Sequence, residues 1–407
     1  MRQKSGIIRY ELVVLFIFLI SVTFLKSLRY SLPVYAILAV LPVIKLQRRI
    51  NLFALCYLLT TSIYLLYGIL FQNTYEAIAS YISRFLQFSL LLVLLNYKDE
   101  NYEKEVSHIN LIKIATFMEV IIDVLTYITG IRGTQIRLIS GNQPVGGNIA
   151  ITILPLLLYE YYLYEENRKT IKKCYVILLP CVILSGTRGY WVLYLFSSIL
   201  PFIDYIKGAE EITRRQYIAR LFIVSFIVVC MIVLIVFNES ILYRINAIFR
   251  VGSTTGTRPK ENLLALNFFN RTDLIYKLLG IGYGGAPADA PGYYEAFLEA
   301  IPFSWGYYGI SHFLEGWGSK FHNYYSNTLL LSGLTGILLT IGMFIYGVRE
   351  ICFRVYRMNR YRNSLLLYWV AFFIMLYYRW SCSCGIAEMI VLAYVLKNSE
   401  SVLEQDE

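Results

Sequence analysis

Runs of apolar residues about as long as a bilayer is thick recur along this chain, and they constrain it more than any other feature. Leu52 to Leu70, Tyr75 to Leu95, Ile109 to Ile128 and Tyr325 to Val348 are the clearest. A helix needs roughly 20 residues to cross hydrocarbon, and in that medium a helix pairs its backbone amides without outside help. Of the 407 residues, 57% are hydrophobic and only 16% charged, where a soluble protein carries about a quarter charged. Mean hydropathy is +0.55. The sequence predicts an all-α, polytopic integral membrane protein.

Twelve transmembrane helices are expected. Nine precede a long polar interval: Tyr10 to Leu25, Leu32 to Ile44, Leu52 to Leu70, Tyr75 to Leu95, Ile109 to Ile128, Asn148 to Tyr164, Cys174 to Leu184, Tyr190 to Tyr205 and Leu221 to Phe237. Three follow it: Tyr325 to Val348, Leu365 to Tyr378 and Gly385 to Leu396, then a short acidic tail. The chain so divides into helices over 1–237, one large extracytoplasmic loop over 238–324, and helices with a tail over 325–407. Arg2, Lys4 and Arg9 precede the first span without a small-residue cleavage site after it, so the reading is an uncleaved span.

The formal charge of +10 sits mostly in short loops, at 45–49, 98–104, 168–173, 207–220 and 349–362. Placing the N-terminus inside makes every one of these clusters cytoplasmic, which is the positive-inside pattern. That pattern accounts for the charge without a nucleic-acid partner. An even span count puts both termini in the cytoplasm. The seven cysteines show no zinc-ligand spacing, and no metal or cofactor is called for.

The outer side should then be poor in arginine, yet it holds Arg132, Arg137, Arg188, Arg244, Arg250, Arg258, Arg271 and Arg379. Arg84, Asp123, Arg379 and Glu388 fall in or beside apolar runs, where charges either lock the bundle or face a cavity. Arg188 lies in the small-residue turn Ser185 to Gly189, where a guanidinium fork can meet phosphate oxygens or simply snorkel to the interface. Arg258 lies in the basic stretch Gly252 to Lys260, suited to an anion or to solvent. The Gly280 to Gly285 stretch formally fits a dinucleotide fingerprint but follows no strand, so it reads as a flexible turn lining a site.

Asp289 to Gly318 is crowded with Tyr and Trp, which suit sugar rings and also the headgroup zone of a bilayer. Tyr283, Tyr324, His312, Asn323 and Glu315 are the candidates for glycan and acceptor binding. His322, at the foot of the tenth span, can accept a hydroxyl proton near neutral pH. A base among anion clamps suits transfer of a sugar from a diphosphate carrier, with the clamps stabilising the departing diphosphate.

Three pieces resemble the O-antigen polymerase and O-antigen ligase superfamily, membrane glycosyltransferases of GT-C-like architecture. They are Ser-Gly-Thr-Arg-Gly at Ser185 to Gly189; Gly256 to Arg258 leading to Leu279 to Gly284; and His322, Asn323, Gly333 and Gly336. The plan of a dozen spans with one large outer loop also agrees. A Glu often stands two residues before the first glycine of the last motif; here it is Leu331, which leaves Glu295, Glu299 or Glu315 to supply a carboxylate.

The resemblance implies a metal-independent polymerase in a bacterial inner membrane, without cofactor. Its substrates would be undecaprenyl-diphosphate-linked oligosaccharides, with membrane lipids and a chain-length regulator as partners. His322 would be the catalytic base, and Arg188, Arg258, Arg132 and Arg137 would hold the diphosphate. A ligase acting on lipid A core is the nearest alternative. A flippase for lipid-linked glycans is the alternative from another class; it would place ionisable groups along a path through the bundle. A eukaryotic glycosyltransferase is the third, on the sequons at Asn238 and Asn270.

Overall fold

The computed structural model describes residues 51–96, 107–128, 148–184, 188–207, 257–283, 285, 290–300, 323–377 and 385–405. They are almost wholly helical, with no strand among them. The expected spans at Tyr10 to Leu25, Leu32 to Ile44 and Leu221 to Phe237 lie outside the described residues.

The elements are α1 (Leu52–Phe71), α2 (Thr74–Arg84), α3 (Leu86–Asn96), α4 (Ile109–Ile128), α5 (Asn148–Thr152), α6 (Leu154–Leu163), a 3-10 turn (Glu165–Asn167), α7 (Arg168–Leu184) and α8 (Arg188–Lys207). They continue as α9 (Thr257–Arg271), α10 (Leu274–Leu279), α11 (Tyr293–Ala300), α12 (Tyr324–Arg354), α13 (Asn359–Tyr377) and α14 (Gly385–Gln405). Among the described residues, α1 and α12 are long and apolar enough to cross a membrane, and α2 with α3 makes a third candidate if that bent pair is one span. A twelve-span count is therefore not reached here. Among the shortfalls, α4 carries Lys113, Glu119 and Asp123, and α14 carries Glu388, Lys397 and Glu400.

Several expected spans are interrupted or longer than the apolar pattern suggests. The Tyr75 to Leu95 run breaks at Phe85, where α2 and α3 bend by 55°. Arg84 sits at that bend, buried, donating to the Ser80 carbonyl at 3.4 Å. The Asn148 to Tyr164 run breaks at Ile153, ahead of Pro155, which has no amide to continue the ladder. Helix α14 runs on to Gln405, through most of what reads as an acidic tail.

The bundle has two chemically different ends. At one, Asn51 N–H donates to Asn96 Oδ1 (3.4 Å), Asn96 donates to the Tyr346 hydroxyl (3.3 Å), and Arg354 donates to the Leu95 carbonyl (3.2 Å). Arg360 pairs with Asp204. The Glu160 carboxylate accepts the His108 N–H, Ser107 Oγ (3.1 Å) and Asn167 Nδ2 (2.9 Å), while His108 Nε2 meets the Tyr394 hydroxyl. The basic clusters at 168–173 and 349–362, which fall among the described residues, share this end: Arg168 donates to the Tyr161 carbonyl at 3.1 Å, and Arg360 is the partner of Asp204.

Small residues let the helices approach closely. A Cβ on Gly347 of α12 would lie 2.6 Å from Trp369 Nε1 of α13, and one on Gly342 would lie 2.6 Å from the Phe53 ring of α1. The aromatic core then closes around Phe88, Phe372, Phe373 and Trp369.

Candidate functional site

The end opposite the basic clusters is built by segments that the apolar pattern does not single out. The 238–324 interval contains three helices among its described residues, α9, α10 and α11. Leu264 and Phe268 on α9 are buried, as are Tyr293, Ala296, Phe297 and Ala300 on α11, at helical spacing. The Phe268 and Tyr293 rings meet edge to face at 6.0 Å. Burial, and then the nearby Glu261 charge, raise the Tyr293 hydroxyl above its ordinary range.

Asn262 on α9 ties three helices together. Its Oδ1 accepts from Asn323 Nδ2 and from Ser326 Oγ, both on the first turn of α12, and its Nδ2 donates to the Tyr377 hydroxyl at the end of α13 (3.2 Å). Asn323 caps α12, accepting the Tyr325 N–H at 3.0 Å, and is 0% exposed. Both sides of its amide are thus engaged, and the backbone next to His322 is fixed.

Arg258 stands one helical turn before Asn262 on α9. Burial pushes the neighbouring Lys260 ammonium below its ordinary value. Helices α8 and α13 run antiparallel, since Asp204 of one pairs with Arg360 of the other. Counting back from Asp204 to Arg188 covers as many residues as counting on from Arg360 to Leu376. Arg188, the first residue of α8, therefore lies at the same end as Tyr377. The backbone positions of Arg188, Arg258 and Asn323 thus lie at one end of the bundle, although they are far apart in sequence. His322, His312, Glu315, Arg132 and Arg137 lie outside the described residues, as do Ser185 to Thr187.

Beside this polar knot is an apolar groove of about 380 Å³ between α12 and α13, lined by Tyr325, Phe344, Val370, Phe373, Ile374 and Tyr377. The Tyr325 hydroxyl donates to the Phe373 carbonyl (2.7 Å). Tyr377 joins groove and knot.

The second and third sequence pieces meet deeper in the bundle. Helix α12 departs from helical geometry at Gly333 (φ 58°, ψ −152°), which frees carbonyls above the break. Ile281 N–H donates to the Leu330 carbonyl (2.9 Å), Gly282 N–H to Leu331 (3.0 Å), and the Tyr64 hydroxyl to Ser332 (3.3 Å). The Gly280 to Gly285 stretch is thus no flexible turn in its described part: it is a packed seam that completes a broken helix. Leu331 stands there for its carbonyl and its buried side chain.

Tyr283 is 0% exposed, stacked between Tyr64 and Phe85 at 5.3 Å from each. Tyr324 is buried too, its ring edge against Phe88 at 6.4 Å. Glu299 is exposed and paired with Arg271, and Glu295 is exposed.

No protein-family model and no characterised protein matches this chain.

The site residues that the sequence reading passed over are Asn262, Ser326 and Tyr377. A signal existed for two of them: Asn262 follows Arg258 at one-turn spacing, and Ser326 follows Asn323 at the spacing of an N-terminal helix turn.

Proposed function

We propose that this chain is a polytopic glycosyltransferase of a bacterial inner membrane, with both termini cytoplasmic, that polymerises lipid-linked glycan repeat units. The observation that supports the reading is that Arg188, Arg258 and Asn323 lie at one end of the bundle, where an apolar groove lined by Tyr325 and Tyr377 adjoins the Asn262–Asn323 cluster. A polyprenyl chain needs an apolar path, and its diphosphate needs fixed cations at the end of that path.

In this scheme the acceptor hydroxyl oxygen attacks the anomeric carbon of the carrier-bound glycan. The bond from that carbon to the diphosphate oxygen breaks, and the electron pair leaves with the diphosphate. His322 takes the hydroxyl proton. Arg188 and Arg258, with Arg132 and Arg137, hold the developing charge where water is scarce. Asn262 positions rather than reacts, holding the helix start that carries Asn323.

A second reading, a transporter for the same lipid-linked glycan, is favoured by one observation. Two interrupted helices, at Phe85 and at Gly333, meet around buried Arg84 and Tyr283, and broken helices often build transport sites.

The test is incubation of the purified protein in lipid nanodiscs with polyprenyl-diphosphate-linked repeat units alone. A ladder of products that vanishes with His322→Ala is the expected result. Transfer only after an acceptor such as lipid A core is added indicates a ligase, and transbilayer movement without new bonds indicates the transporter.

A further inference from the structure

We propose that Asp273–Tyr283 is a re-entrant element, with α10 dipping into the bilayer from the outer side and resting its exposed face on lipid acyl chains. The inference rests on the membrane reading above and adds a lipid contact inside what composition marks as a polar outer loop.

Depth comes first. Helix α12 reaches its first exposed charge at the basic end at Arg349. About 30 Å of hydrocarbon, at about 1.5 Å per residue, puts the outer edge of the core near residue 329. The α10 end lies below that edge. A Cβ on Gly333 would fall 2.6 Å from the Lys277 carbonyl oxygen and from the Leu278 carbonyl carbon. From there the chain climbs along α1: Gly282 lies against the Tyr67 ring, Tyr283 against Gly68, and Gly285 near Gln72 at the end of that helix. The path is in by a helix and out by non-helical backbone.

The second observation is the face left uncovered. Leu274 and Ile275 are each 69% exposed, and Leu278 and Leu279 are exposed as well. This face continues onto exposed Tyr67, Leu70 and Phe71 of α1. In water such a patch would be costly, whereas at this depth lipid covers it. The backbone at the tip satisfies the rule for non-helical chain in a membrane, because Ile281 and Gly282 spend their amides on α12. Lys277 is the one charge on α10, and its four-carbon stem is long enough to snorkel.

The experiment places a photoreactive diazirine side chain at Ile275, at Leu338 of α12 and at Glu295 of α11, in three separate variants. Each is reconstituted in phosphatidylethanolamine and phosphatidylglycerol vesicles, irradiated, and read by mass spectrometry. Acyl-chain adducts at Ile275 comparable to those at Leu338, and about tenfold above Glu295, are expected for a segment at this depth. Water adducts at Ile275 with lipid adducts at Leu338 would overturn the re-entrant element and leave the membrane reading standing. Water adducts at Leu338 would overturn both. Protein adducts at Ile275 would assign the face to a second copy and overturn the lipid contact. Leu274 serves as the alternative position if the Ile275 variant does not insert.

Discussion

Gly280 and Gly333 touch backbone to backbone: a Cβ on Gly280 would sit 2.6 Å from the Gly333 nitrogen, and one on Gly333 would sit 2.7 Å from the Gly280 nitrogen. Both have positive φ. This contact joins the outer segment to α12, and through Tyr64 to α1.

Gly333→Ala should therefore be among the most damaging small changes in the chain. It combines a backbone strain of about 1–3 kcal/mol with a clash against main-chain atoms that cannot rotate away. Gly342→Ala meets only a Phe53 ring edge, which can turn. Thermal unfolding in detergent should show a much larger loss for Gly333→Ala. Equal stability of Gly333→Ala and the parent would refute the broken helix.

Gly347 and Trp369 make a second, independent lock. The indole Nε1–H donates to the Phe344 carbonyl at 2.9 Å while the ring fills the space over Gly347. Gly347→Ala should cost about 1–3 kcal/mol by overpacking. Adding Trp369→Phe should recover part of that loss, because the two changes are coupled. Additive losses in the same unfolding assay would contradict the contact.

At the basic end, the Glu160 carboxylate holds the start of α4 through the His108 N–H. Glu160→Ala orphans that buried donor, while Asn167 Nδ2 keeps its bond to Ser107 Oγ, for an expected loss of about 1–3 kcal/mol. Glycan transfer should be unaffected once the protein is folded, since the proposed chemistry is at the other end. A selective loss of turnover at unchanged stability would contradict that division of the molecule.

Much of the helix map was legible because apolar runs announce themselves. Ile109 to Ile128 is read to the residue, and Leu52 to Leu70 falls one residue short. The break at Phe85 was not legible, because both sides of it are equally apolar. Only Arg84 hinted at it, and a charge in a run has several meanings. Helices α9 to α11 were missed for the opposite reason: polar composition hides an amphipathic pattern that Leu264, Phe268, Ala296 and Ala300 carry in plain order. Of the site, Asn323 and Arg258 were legible as motif members. Asn262 showed only its one-turn spacing from Arg258, because its importance lies in three partners from two distant helices.

The most direct measurement is the single-turnover rate of glycan transfer by folded Arg258→Ala and Asn262→Ala proteins, with saturating polyprenyl-diphosphate-linked repeat units. The account predicts a fall of about 100-fold or more for Arg258→Ala, the scale of losing one charge-stabilising donor in a dry site. It predicts a smaller fall for Asn262→Ala, recovered in part by Asn262→Gln. Full transfer rates in well-folded Arg258→Ala would contradict the claim that this end of the bundle handles the diphosphate.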